Sequence, residues 1–190
     1  MDIYGQFITK SGVGTSGALS GSNFPINVND DWSDMSTIGI AFDGTNYLVA
    51  WNDMTPYTEN ARLYAQLVST SGTLIGGVID TGNTIANFER DLPFLAFDGN
   101  NYLLIWTSTA NDLNGNYICD AGEGTCWDIY GQYISKSGSL VGSEFAIDTD
   151  AGNQFGGAGF SGGKYFVLVN NLDTFDGVVG DVYGIMFSQL

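Results

Sequence analysis

Five oxygen-bearing side chains follow one another between residues 112 and 123: Asp112, Asn114, Asn116, Asp120 and Glu123. They take positions 1, 3, 5, 9 and 12 of a twelve-residue stretch, and Ile118 offers its backbone carbonyl at position 7. A hard divalent cation wants roughly six to eight oxygens, and this alternation lets a short loop wrap them around calcium. One position departs from the pattern. The sharp turn calls for Gly at position 6, but Tyr117 stands there and Gly115 sits at position 4. The turn is then displaced, and the ligand set shifts with it. A bound calcium here would order the loop and stabilise the fold by mass action. A polar Asp/Asn/Gly surface loop without metal is the alternative reading.

The two cysteines of the chain, Cys119 and Cys126, flank "DAGEGT" in the same region. Cysteines seven apart close a small disulfide loop if their Cα atoms come within about 7 Å. Such a bond implies an oxidising compartment, extracellular or periplasmic. Two free thiols are the alternative. Zinc is disfavoured, since it takes about four ligands and the chain has no histidine. The same lack rules out Ser-His-Asp and Cys-His catalysis. With Arg62 and Arg90 the only arginines, a multi-arginine clamp on a carboxylate or phosphate is also excluded. Glutamates are few (Glu59, Glu89, Glu123 and Glu144), and no carboxylate pair sits in a motif suited to glycoside hydrolysis.

The net charge of -16 repels phosphate backbones and anionic membrane surfaces, so neither nucleic acid nor membrane is expected as a partner. Apolar runs reach about five residues, against the ~20 that cross a bilayer. The opening "MDIYGQFITK" lacks a basic region followed by an apolar core, so no signal peptide is read in this chain. Trp32 and Trp127 lie in loop-like context and are the candidates for stacking on a sugar ring. Trp51 and Trp106 fall at equivalent places in apolar segments and read as core.

Internal repeats supply the elements that must position these groups. "AFDGTNYLVAW" at 41–51 returns as "AFDGNNYLLIW" at 96–106 and, more weakly, as "GFSGGKYFVLV" at 159–169. A second unit runs "DIYGQFITKSG" at 2–12, "RLYAQLVSTSG" at 62–72, "DIYGQYISKSG" at 128–138 and "DVYGIMFSQL" at 181–190. Short strand-like pieces follow at 24–28, 77–80 and 144–148. The repeat thus has four strands, lettered a to d. The chain reads c-d, a-b-c-d, a-b-c-d, a-b-c, with units at about 1–29, 36–80, 91–148 and 155–190 in a single domain, and an insert at 107–127. Strand b is apolar at every residue from Tyr47 to Trp51 and from Tyr102 to Trp106. Successive side chains of a strand point to opposite faces, so both faces must be buried. Strand a is rich in small residues, and strand d alternates and admits Pro25. Small inside, apolar in the middle and polar at the rim is the profile of a β-propeller blade. Asp43 and Asp98 belong to the "DG" hairpin turns and read as structural.

Tandem stretches of the form DIYGQ…SG…AFDG-x-NYLV-x-W resemble those of bacterial proteins, often secreted, that are taken to form β-propellers. The residues that carry this resemblance are Asp2 to Gln6, Ala41 to Trp51, Pro93 to Trp106 and Asp128 to Gly138. The last repeat departs most, with Val169 for the tryptophan and Ser161 for the aspartate. The resemblance implies the fold and brings no catalytic residue. The segment 112–123 likewise resembles EF-hand-type and dockerin-like calcium loops.

The expected fold is therefore all-β, with propeller-like four-stranded antiparallel blades, about three per chain. Propellers have roughly four to eight blades. A homodimer that completes a six-bladed ring by strand exchange satisfies that count. A piece of a longer propeller, or a three-fold β fold such as a trefoil, is the alternative. The expected function is a non-catalytic binding or interaction module, with a glycan or a protein as ligand. A glycoside hydrolase using paired carboxylates and a purely structural segment of a larger secreted protein are the competing readings.

Overall fold

The computed structural model describes residues 2–11, 16–28, 38–53, 62–82, 90–109, 125–150, 152–172 and 180–188. Among these the secondary structure is all strand. In chain order the strands are β1 (Ile3–Ser11), β2 (Ser16–Asn27), β3 (Ile38–Phe42), β4 (Asn46–Asp53), β5 (Arg62–Ser69), β6 (Leu74–Asp80) and β7 (Arg90–Phe97). They continue as β8 (Asn101–Ser108), β9 (Thr125–Ser135), β10 (Leu140–Asp148), β11 (Gly152–Ser161), β12 (Lys164–Leu172) and β13 (Asp181–Ser188). Neighbours in sequence pair antiparallel in four groups: β1-β2, β3-β4-β5-β6, β7-β8-β9-β10 and β11-β12-β13. The groups pack in that order and, among the described residues, do not close into a ring.

The b strands β4 and β8 hold this stack together. In β8, Tyr102, Leu104 and Trp106 join a core with Leu48, Ala50, Leu63 and Leu67 of the second group. On its opposite face, Leu103 and Ile105 join Ile129, Tyr165, Val167 and Val169. In β4, Val49 and Trp51 meet Ile3, Ile26 and Val68. One strand thus feeds two cores, which its unbroken apolar run demands. The a strands come close enough to exclude side chains. A Cβ on Gly39 would lie 2.7 Å from the carbonyl oxygen of Pro93, so β3 and β7 touch backbone to backbone at this position.

The hairpin aspartates serve the turns. The Asp43 carboxylate accepts the amides of Thr45 and Asn46, both at 2.7 Å, and Asp98 accepts those of Asn100 and Asn101 in the same way. Tyr102 of the next group donates its hydroxyl to the Asn46 carbonyl at 3.2 Å, tying one group to its neighbour. Burial pushes the Asp43 carboxyl up, but those two amides, Tyr102 and Lys136 outweigh it and leave the group below its ordinary value. A depressed carboxyl stabilises the fold above the unfolded pKa of about 3.9, and that contribution fades as acid carries the pH down through the folded value.

Strand d runs longer than its apolar letters suggest, over Ser16–Asn27, Leu74–Asp80 and Leu140–Asp148. Each d strand carries a bulge where its register with strand c shifts, and Gly21, Gly76 and Gly142 there adopt φ of 72°, 69° and 69°. The bulge interrupts the ladder, and a glutamine of strand c bridges the gap. The Gln66 amide donates to the carbonyls of Leu67 and Ile75, and Gln132 donates to those of Tyr133 and Val141. Gln6 does the same with Phe7 and Ser20.

The third and fourth groups are also joined by a short parallel contact, Gly152 beside Thr125 and Asn153 beside Trp127. The sequence repeat does not foretell it. Its cause is length: β9 runs past the end of β8, whose pairing stops at Ser108 with Asp128, and the start of β11 takes the backbone groups beyond.

Candidate functional site

Most of the sequence-derived site lies outside the described residues: Asp112, Asn114, Asn116, Ile118, Asp120 and Glu123 of the calcium loop, Cys119, and Trp32. Cys126 falls within β9, but its side chain is not described. Trp127 is placed. It sits half-buried at the start of β9, edge-on to Phe155 with ring centroids 5.2 Å apart. Its indole N–H is buried without a hydrogen-bond partner. Trp51 and Trp106 are core residues, as their strand positions require.

The polar residues near Trp127 cluster where β8 ends and β9 and β11 begin. The Thr107 hydroxyl donates to the Gln154 carbonyl at 3.2 Å. The Gln154 side-chain amide donates to the Asp150 carbonyl. Its Oε1, and Oδ1 of Asn153, are buried acceptors with no partner. Nearby, Tyr183 donates its hydroxyl to Asp148 at 2.7 Å. Burial and that carboxylate push the Tyr183 phenol up to about 12, so it stays protonated and donating at ordinary pH. The Trp127 N–H, Gln154 Oε1 and Asn153 Oδ1 are buried among the strand ends, so the part of this cluster that a ligand meets is the half-buried Trp127 ring. The signal missed in the sequence was the polar run "GNQ" opening a strand otherwise small and apolar.

A second polar set lies at the same end of the second and third groups. Asn52 donates its side-chain amide to Asp91 at 2.9 Å, and Asp91 also accepts the Leu92 amide at 2.7 Å. Leu92 has φ of 52°, where its strand bulges. Arg90 pairs with Glu144 at 2.6 Å and lies over the Trp106 ring, 4.8 Å from its centroid. These residues bind the ends of strands together.

No family model and no curated protein matches the chain. Among solved structures, a GH43 endo-arabinanase from Bacillus licheniformis matches with a TM-score of 0.52 at 14% identity, over 90% of this chain. The chain spans 59% of that protein's length. At this identity the likeness establishes the fold alone: all-β and propeller-like.

Proposed function

We propose that the chain is a non-catalytic binding and interaction module of propeller type, which works as a homodimer completing a six-bladed ring. One observation carries this reading. Apolar faces stand open at both ends of the stack, with Phe166, Leu168, Val182 and Met186 at one and Ile38, Ile40 and Phe42 at the other. Five of the described carboxylates, Asp43, Asp98, Asp91, Asp148 and Glu144, are engaged in turns, amide contacts and an ion pair. For the ligand, the half-buried Trp127 ring favours a glycan over a protein, and Trp32 is the second tryptophan assigned to it from the sequence. On a glycan array the wild type is expected to bind a defined set of sugars, and Trp127→Ala to lose about tenfold or more in affinity, in line with one lost aromatic contact. Equal binding by Trp127→Ala contradicts that assignment. Binding to no glycan leaves the purely structural segment as the better reading.

The endo-arabinanase likeness favours a second reading, a glycoside hydrolase with paired carboxylates. Incubation with linear arabinan is expected to release no oligosaccharide. Steady release, lost on substituting a single carboxylate, overturns the non-catalytic reading.

The calcium loop at Asp112–Glu123 and the Cys119–Cys126 disulfide complete the proposal and fit an extracellular or periplasmic setting. Chelation by EDTA is expected to lower the melting temperature, with recovery on adding calcium but not magnesium. Superimposable melting curves contradict the calcium assignment.

A further inference from the structure

The charges that neighbour the two candidate tryptophans in sequence are of one sign. No lysine or arginine stands between Lys10 and Arg62, and Trp32 lies in that interval within "NDDWSD", beside Asp30, Asp31 and Asp34. None stands between Arg90 and Lys136 either, and that interval holds Trp127 together with Asp91, Asp98, Asp112, Asp120, Glu123 and Asp128.

The fold sharpens this contrast around Trp127, where β9 and β11 begin. Asn153 lies opposite Trp127 in the parallel pairing, and Asp150, an exposed residue, comes just before β11. The Gln154 side-chain amide ties that approach down through the Asp150 carbonyl. Asp148 ends β10 opposite Ile129, the second residue after Trp127 along β9. Asp181, also exposed, lies opposite Asn171, which is itself opposite Gln154. Strands are about 4.8 Å apart, so Asp148 and Asp150 come within roughly 10 Å of the start of β9, little more than the Debye length of about 8 Å at physiological salt. The described cations stand elsewhere or are matched. Lys164 pairs with Ser161 at the far end of β11, about 26 Å along the strand from Asn153. Lys136 sits over the Phe97 ring past the far end of β9. Arg62 pairs with Asp80 in the second group, and Arg90 is buried against Glu144.

We infer that the Trp127 site sorts glycans by charge: it takes neutral and amine-bearing sugars and rejects those that carry carboxylate or sulfate. The ring is a platform for the apolar face of a sugar of any charge. The surrounding charge then ranks the sugars that can stack. A protonated amine is drawn by Asp148 and Asp150 and by the negative face of the indole. A carboxylate or sulfate meets repulsion from the same two residues, and among the described residues no unmatched cation lies near enough to offset it. At these separations the carboxylates are worth about three- to fivefold in affinity for each charged substituent in dilute buffer, and less as salt is added.

This inference rests on the glycan-binding reading and names the ligand class of the same site. Its test presents the full chain with an array of neutral, amine-bearing, uronate-containing and sulfated glycans. Calorimetry then compares the tightest binder with its aminated and carboxylated derivatives. The bound set is expected to be neutral and amine-bearing, with the carboxylated derivative weaker than the neutral one by about threefold or more and the gap narrowing as sodium chloride is added. Asp150→Lys changes an exposed side chain and keeps the backbone contacts of Asp150. It is expected to weaken the aminated derivative and strengthen the carboxylated one, each by about twofold or more, and to leave the neutral glycan unchanged. A merely structural effect moves all three together. Carboxylated glycans among the tightest binders, or a ranking that Asp150→Lys leaves in place, with binding still lost in Trp127→Ala, overturns the charge selection alone. Binding to no glycan, or binding indifferent to Trp127→Ala, overturns the glycan reading of Trp127 and this inference with it.

Discussion

Leu103→Ala and Leu104→Ala are each expected to destabilise the protein by about 2–5 kcal/mol, although their side chains point to opposite faces of β8. Both are fully buried, in different cores. Each truncation removes buried methyl groups and leaves a cavity that a stack packed on both sides cannot close. A sheet with one wet face behaves otherwise, losing stability at one of the two positions and almost none at the other. Leu19, exposed on the outer face of β2, sets the baseline: Leu19→Ala is expected to change stability by no more than about 0.5 kcal/mol. Urea titration of the three variants reads these differences directly.

Glu144→Ala is expected to cost about 3–5 kcal/mol, because it strands a buried cation. Arg90 meets Glu144 at 2.6 Å with both side chains largely out of solvent, and its Nη1 is buried without a hydrogen-bond partner. Burial pulls the guanidinium below its ordinary pKa, while the charge and hydrogen bond of Glu144 work to restore it. Removing Glu144 leaves the face of Trp106 as compensation, a weaker one. The double variant Arg90→Met with Glu144→Leu is expected to recover most of the loss, since it removes the desolvated charge as well as its partner. The other ion pair among the described residues, Arg62 with Asp80, spans 3.9 Å with both side chains about half exposed, and water screens it. Asp80→Asn is therefore expected to stay within about 0.5 kcal/mol. Thermal and urea unfolding of the three variants checks the set.

How far the fold was legible differs from strand to strand. The b strands at Tyr47–Trp51 and Tyr102–Trp106 were readable because an unbroken apolar run leaves no wet face. The third b strand carries a similar run, yet its burial alternates, with Val167 and Val169 inside and Phe166 and Leu168 outside. Composition records what a face is suited to meet, not whether that neighbour is present. The d strands were read too short because their bulges and exposed residues break the alternation that marks a strand. The glutamine of "DIYGQ" recurs in the repeat, but its role is not visible in the sequence alone. A polar residue recurring in a buried strand was the clue that a backbone gap needed a donor. The left-handed Leu92 and the polar cluster at Trp127, Asn153 and Gln154 depend on how strand ends meet in space, which no local spacing encodes.

Side-chain footprinting with a photoactivated carbene, read residue by residue across β8, tests the two-sided burial most directly. Tyr102 through Trp106 are expected to remain unlabelled without interruption, while Leu19 in the same sample is labelled strongly. Labelling of Leu103 and Ile105, with Leu104 and Trp106 protected, would show a water-washed face and contradict the stack on which the open ends and their pairing depend.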